Sequence, residues 1–134
     1  MKKILSLLLV IMTIAAVYSC KDKQTATIVK VSAEEADTLI KSDDVTLVDV
    51  RQQRFFQDRH LANAINIPVE NDSLNEALDR LDPNQPILIY CNTGKSSERC
   101  ATILKEKGFK KIYDLEGGLE QWEASGRQVI IKNN

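Results

Sequence analysis

The chain has 134 residues, of which 18 are basic and 19 acidic, so its formal net charge is −1 at pH 7. This length suits one small domain with a single hydrophobic core and is too short for two. The balanced charge implies no bulk electrostatic partner, and the lack of a basic stripe with interleaved aromatic residues argues against a nucleic-acid partner.

The first predicted element is an apolar segment at the N-terminus. Lys2 and Lys3 precede residues 4–17, which are almost wholly apolar and too few to span a bilayer comfortably, since a spanning helix needs about 20 residues. A short positive region followed by an apolar run of this length is typical of a secretory signal. We therefore expect residues 1–19 to be a signal peptide that takes no part in the fold.

The residues that end this segment, Ala-Ala-Val-Tyr-Ser-Cys at positions 15–20, resemble the lipobox of bacterial lipoprotein signals. The resemblance implies that Cys20 is lipidated and becomes the first residue of the mature protein, with residues 20–26 as a lipidated tether. An anchor of several acyl chains holds a protein firmly, whereas a single chain binds only marginally. The implied location is the bacterial cell envelope, on a membrane and facing the periplasm or the surface. The alternatives are a plain cleaved signal and an uncleaved anchor helix.

Residues 27–134 alternate predicted strands with predicted helices. The predicted strands are residues 27–31, 45–50, 64–67, 87–90 and 111–115, and residues 129–131 are a last edge strand or a docked tail. One helix is predicted after a capping box at Ser32 and Glu35, and the others at residues 51–59, 74–81, 97–107 and 119–124. This order favours an α/β fold, a single domain whose central sheet is mostly parallel and five-stranded with helices on both faces.

Cys91 lies where the buried strand 87–90 ends and a polar loop leads into the next helix. A sulfur in such a loop faces free backbone N–H groups and the positive end of a helix, and both favour the thiolate over the thiol. We therefore predict that Cys91 is a reactive nucleophile. The alternative is a buried structural cysteine, which is disfavoured because structural cysteines prefer apolar surroundings.

The loop after this cysteine has the composition of a nest for an anion. Gly94 lets the backbone turn without a side-chain clash, Lys95 adds a positive charge at the rim, and no loop residue is acidic before Glu98. Such a loop suits a thiolate that attacks an anion and then carries a charged adduct, for example a persulfide. The candidate substrate-binding residues are Asn92, Thr93, Gly94, Lys95, Ser96 and Ser97.

Other polar and aromatic residues are interpreted as structural supports. Asp49 and Arg51 end a strand at the same edge of the sheet as the cysteine loop, where we expect them to brace it as a pair. His60, the only histidine, is expected to make a structural hydrogen bond rather than to act as a base. Cys100 falls on the apolar stripe of its helix, which favours core packing over a role as a resolving thiol. Trp122 is expected to anchor the last helix.

Four segments, in this order, resemble the motifs of the single-domain rhodaneses, a family of sulfurtransferases. They are Leu-Val-Asp-Val-Arg at residues 47–51, the histidine-to-proline segment 59–68, the cysteine loop 91–97, and the double-glycine and tryptophan segment 115–122. The chain departs from the family pattern at Arg59, where glycine is usual, and at Ser96 and Ser97, where many members carry arginine.

The resemblance implies covalent sulfur transfer in two steps with ping-pong kinetics. Cys91 would take the sulfane sulfur of thiosulfate or a similar small anionic donor, become a persulfide, and pass the sulfur to cyanide or a thiol. The resemblance implies no metal and no organic cofactor. The alternatives are a rhodanese-like module that binds sulfur species or partners without efficient turnover, and a thiol redox protein, for which the C-x-x-C arrangement is lacking. Phosphatase activity is disfavoured because Ser97 stands where the related dual-specificity phosphatases carry an arginine clamp.

Overall fold

The computed structural model describes residues 25–132, so the predicted signal peptide, Cys20 and residues 21–24 lie outside the described part. The strands of this part are β1 (Thr27–Val31), β2 (Thr46–Asp49), β3 (Arg59–His60), β4 (Ile65–Asn66), β5 (Ile87–Tyr90), β6 (Lys111–Leu115) and β7 (Ile130–Ile131). Five of them form a sheet in the order β1-β6-β5-β2-β4, and every pairing in it is parallel. The predicted fold class is therefore confirmed.

The helices are α1 (Ala33–Lys41), α2 (Gln53–Asp58), α3 (Leu74–Asp79), α4 (Lys95–Glu106) and α5 (Gly118–Ala124). The capping box predicted for α1 is present, because the Ser32 hydroxyl accepts from the Glu35 N–H and the Glu35 carboxylate accepts from the Ser32 N–H. Helix α4 begins two residues before the predicted start. The prediction missed Lys95 and Ser96 because polar residues add no apolar period to the sequence. None of the helices in the described range is long and apolar enough to cross a membrane.

Strand β5 lies in the middle of the sheet and is buried on both faces, as its unbroken apolar sequence predicts. Ile87 and Ile89 pack in one core cluster with residues of α3 and α4, and Leu88 and Tyr90 pack in a second cluster with residues of α1 and α5. Helices therefore cover both faces of the sheet. Cys91 continues this alternation after β5 and packs in the same cluster as Ile87, Ile89 and α4.

Two sequence predictions about core residues agree with this packing. Cys100 is fully buried on α4, and burial raises the pKa of its thiol to about 12, with the nearby Asp114 carboxylate adding to the shift. Trp122 is 6% exposed on α5, and its Nε1 donates to the Gln128 carbonyl over 3.0 Å. Cys100 is thus a core residue, and Trp122 fixes α5 against the sheet and the tail.

The C-terminal tail does not extend the main sheet. Strand β7 pairs antiparallel with β3 in a separate two-stranded sheet, with His60 opposite Ile130 and Arg59 opposite Ile131. The His60 Nδ1 lies 2.8 Å from the Phe56 carbonyl, and the two rings stack at 4.0 Å between centroids. The histidine therefore makes the local structural contact that the sequence predicts.

Candidate active site

Cys91 lies directly after β5, at the carboxyl edge of the parallel sheet, and is 3% exposed. The Gly94 N–H donates to the Cys91 Sγ over 3.0 Å. Among the described residues, it is the only backbone N–H that makes a hydrogen bond to this sulfur. Gly94 has a φ of 94°, a left-handed conformation that glycine adopts without strain, and it caps the first turn of α4. The N–H and the positive end of α4 both favour negative charge on the sulfur.

Ser97 lies behind the sulfur, on the first turn of α4, and is fully buried. Its Oγ is 3.7 Å from the Cys91 Sγ and donates to the Gly94 carbonyl over 3.0 Å. The serine therefore fixes the turn that aims the Gly94 N–H at the sulfur.

A second helix holds the cysteine loop from the other side. The N–H of Leu119 donates to the Cys91 carbonyl over 2.8 Å, and the N–H of Glu120 donates to the Asn92 carbonyl over 3.1 Å. Gly118, with a φ of 60°, sits so close that a Cβ there would lie 2.4 Å from the Cys91 carbonyl oxygen and 2.5 Å from that of Asn92. The N-terminus of α5 thus satisfies two loop carbonyls, and only a residue without a side chain permits the contact.

Asp49 and Arg51 form a buried ion pair that braces the loop from β2. The Arg51 Nη2 lies 2.6 Å and its Nε 3.0 Å from the carboxylate, while Nη1 donates to the Asn92 Oδ1 over 3.0 Å and Nη2 also donates to the Arg59 carbonyl. Burial alone lowers the pKa of Arg51, but the hydrogen bonds and charge of Asp49 outweigh it, so the pKa is raised. The guanidinium therefore stays charged and is committed to protein acceptors.

A pocket of about 130 Å³ opens above the sulfur. Cys91, Asn92, Thr93 and Ser96 contribute to its lining from the loop. Of the other predicted substrate-binding residues, Gly94 and Ser97 contact the sulfur or its turn from behind, and Lys95 is an exposed residue that does not line the pocket.

The opposite wall of the pocket comes from the residues after β2 and β4 and from α2. Its apolar part is Val50, Phe55, Pro68 and Val69, and its polar part is Arg51, Gln52 and Glu70. The wall is tied to the sheet, because the Val69 N–H donates to the Val50 carbonyl over 3.0 Å. Except for Arg51, none of these wall residues was predicted from the sequence to be a site residue, because their convergence on one pocket depends on tertiary packing.

Asp114 is a buried carboxylate that sequence reasoning also missed. It lies on β6 opposite Ile89, is 1% exposed, and its Oδ1 has no hydrogen-bond partner among the described residues. Burial raises the pKa of Asp114, and the Ser97 hydroxyl and the Lys30 ammonium offset part of that shift. The signal in the sequence was an acidic residue between Tyr113 and Leu115 in a predicted strand.

Comparison with known proteins agrees with this geometry. Residues 32–125 match the model of the rhodanese-like domain family. The chain is 39% identical over 95 residues to thiosulfate sulfurtransferase GlpE of Coxiella burnetii, which covers 71% of this chain and 87% of that protein. It is 34% identical over 103 residues to the Actinobacillus pleuropneumoniae protein of the same name, covering 77% and 94%.

Solved structures show the same fold. A rhodanese-related protein from Thermoplasma volcanium superposes with a TM-score of 0.65 at 28% identity, covering 76% of this chain and 97% of that one. A rhodanese-like domain protein from Staphylococcus aureus gives a TM-score of 0.66 at 26% identity, covering 78% and 99%.

Proposed function

Because the chain belongs to the rhodanese-like domain family and is a rhodanese-like sulfurtransferase, we propose that it moves sulfane sulfur through a persulfide on Cys91. The donor is thiosulfate or a similar sulfane compound, and the acceptor is a thiophile such as cyanide or a thiol. The observation that carries this proposal is the Gly94 N–H directed at a cysteine sulfur that lies in the floor of a pocket.

The first half-reaction is a displacement at sulfur. The Cys91 thiolate attacks the outer sulfur of thiosulfate, the S–S bond of thiosulfate breaks, and sulfite leaves with the bonding electron pair. In the second half-reaction the acceptor attacks the outer persulfide sulfur and the thiolate is regenerated. The Gly94 N–H and the N-terminus of α4 favour the anionic sulfur before attack and after release of the product.

The direct test compares two cysteine variants of the purified chain. Thiocyanate production from thiosulfate and cyanide should disappear in Cys91→Ser and persist in Cys100→Ser, because Cys100 is a core residue remote from solvent. Mass spectrometry of the unmodified chain after donor treatment should show one added sulfur atom on Cys91. Loss of turnover in both variants would favour redox chemistry, and absence of turnover in the parent chain would favour a binding module.

We further propose that the protein is anchored in the bacterial cell envelope through a lipidated Cys20. The support is the lipobox-like sequence at residues 15–20 after an apolar segment with two lysines before it. Cys20→Ala should abolish incorporation of labelled fatty acid and release the chain from membranes or block its processing, whereas Cys100→Ser should change neither. Unaltered labelling and membrane association of Cys20→Ala would contradict the anchor.

A further inference from the structure

We propose that the preferred sulfur donor is an organic persulfide, R–S–SH, with an apolar carrier group R, and that Glu70 sets this preference against the thiosulfate dianion. The inference rests on the proposed transfer of sulfur to Cys91 and concerns only which donor the pocket selects. Two features of the pocket carry it: its charge and its apolar wall.

The described part of the pocket lining has no cationic side chain that is free to bind an anionic substrate. Among the described residues of the lining, Arg51 is the only basic one, and its guanidinium is neutralised by Asp49 and directed at protein oxygens. Lys95, the one basic residue of the cysteine loop, does not line the pocket. A dianion entering this pocket would lose hydration without meeting a free cationic side chain in the described lining, and the N–H of Gly94 at the N-terminus of α4 already donates to the Cys91 sulfur.

Glu70 adds a negative charge to the same lining. The Gln52 Nε2 donates to the Glu70 Oε2 over 3.0 Å, and both residues line the pocket, so this hydrogen bond holds the carboxylate at the mouth. With the Asp49–Arg51 pair neutral as a whole, the lining has a net negative charge. It repels a dianion more strongly than a monoanion or a neutral molecule, because the interaction scales with the product of the charges.

The remaining wall suits an apolar carrier group. Val50, Phe55, Pro68 and Val69 line the pocket that holds the sulfur. Val50 and Val69 are nearly buried, whereas Phe55 is 37% exposed, with the Arg54 guanidinium 4.7 Å from its ring centroid. An organic carrier that covers this ring would remove apolar surface from water, which is favourable in proportion to the area covered. Sulfite, the leaving group of thiosulfate, has no apolar surface to place there.

The transfer from such a donor balances without a further reactant. The Cys91 thiolate attacks the terminal sulfur of R–S–SH, a new S–S bond forms to that sulfur, and the S–S bond of the donor breaks. The carrier leaves as the thiolate R–S⁻ with the bonding electron pair, and the protein holds the persulfide Cys91–S–SH. One negative charge is present before and after the step.

The test measures loading of Cys91 in a single turnover, so that no acceptor is needed. The full chain is mixed with thiosulfate or with benzyl persulfide generated in situ, quenched by alkylation, and the persulfide on Cys91 is quantified by mass spectrometry. The unmodified chain should load more efficiently from benzyl persulfide. Glu70→Gln should raise the efficiency of loading from thiosulfate on the order of fivefold, and Glu70→Lys should raise it more. The effect should appear mainly as half-maximal loading at a lower thiosulfate concentration, with a smaller change in the maximal rate.

Two controls separate pocket chemistry from surface charge. Glu76→Gln removes an exposed carboxylate on α3 outside this pocket, and it should not alter the loading of Cys91 from either donor. Phe55→Ala should lower the efficiency of loading from benzyl persulfide severalfold and lower that from thiosulfate less. The gain from Glu70→Gln should shrink at high salt because the carboxylate is exposed.

The outcomes distinguish this inference from the proposed function. If Cys91 loads from thiosulfate as efficiently as from benzyl persulfide and the Glu70 variants behave like the parent chain, the donor preference is wrong and sulfur transfer stands. If neither donor loads Cys91, the proposed function itself is wrong.

Discussion

Replacement of Gly118 by alanine tests whether α5 holds the cysteine loop in place. The glycine has a φ of 60°, and an alanine Cβ there would lie 2.4 Å from the Cys91 carbonyl oxygen and 2.5 Å from the Asn92 carbonyl oxygen. Both colliding atoms are backbone atoms, so no side-chain rotation relieves the contact. Helix α5 or the loop must move, and the hydrogen bonds from the N–H groups of Leu119 and Glu120 would then be lost.

The expected loss of stability follows from these contacts. A side chain in the left-handed conformation costs roughly 1–2 kcal/mol, and each of the two hydrogen bonds contributes about 1 kcal/mol net. Gly118→Ala should therefore lower the free energy of unfolding by roughly 3–4 kcal/mol. For a domain of this size, that corresponds to a fall in Tm of at least about 12 °C.

Gly108→Ala is the matched control. Gly108 also has a positive φ, 87°, but nothing lies within 4 Å of a Cβ built there, so this variant should lose only the roughly 1–2 kcal/mol of backbone strain. Thermal and urea unfolding give the two stabilities, and the rate at which Cys91 acquires sulfur from a donor gives the effect on the site. That rate should fall in Gly118→Ala and not in Gly108→Ala. Equal stability losses in the two variants would refute the steric argument.

Three further substitutions test the buried polar groups. Asp114→Asn should stabilise the protein by about 1 kcal/mol at pH 7 and little below pH about 4. Burial raises the pKa of the Asp114 carboxyl in the folded protein, so the unmodified protein loses stability as the pH rises above the pKa of the unfolded chain. A gain that is the same at all pH values in urea titrations would contradict this. Arg51→Met should cost about 3–5 kcal/mol by leaving the Asp49 carboxylate buried without an opposite charge, and adding Asp49→Asn should restore part of that loss; a double variant as unstable as the single one would argue against an uncompensated charge. Tyr90→Phe should cost about 1–2 kcal/mol because the Leu61 N–H loses its acceptor, while sulfur loading persists, since this side chain lies on the opposite face from the sulfur; a large loss of loading would show that the two faces are coupled.

Most of the fold follows from short-range pattern. The strand at 87–90 is an apolar run between turn signals, and its burial on both faces requires a central position in a parallel sheet. The capping box at Ser32 and Glu35 fixes the start of α1 for the same local reason. The pairing of β3 with β7 is different, because strands of two residues carry no periodicity and their partners are decided by tertiary contacts.

The candidate site shows the same difference between residues with a local sequence signal and residues placed by tertiary contacts. Cys91 and the loop that follows it were selected from the sequence because a nucleophile between a strand and a helix has a local signature. Position 118 requires glycine because it contacts the carbonyls of a loop that is distant in the chain. The proposed role of Glu70 depends on a pocket wall that forms only when residues 68–70 pack beside the end of β2. Neither contact leaves a periodic signal. Asp114 was visible as an acidic residue between Tyr113 and Leu115, but its approach to Ser97 depends on the register of β6 against β5.

The way the loop is held constrains how the proposed reaction can proceed. Arg51 binds it through Asn92, α5 binds it through two carbonyls, and Gly94 and Ser97 fix its own turn, so the sulfur has a defined position. Cys91 is 3% exposed and lines a single described pocket of about 130 Å³, so donor and acceptor approach the same sulfur from the same side. Under the proposed mechanism the leaving group and the attacking acceptor therefore occupy the same position beside the outer sulfur. This overlap favours the ping-pong order that a covalent intermediate permits.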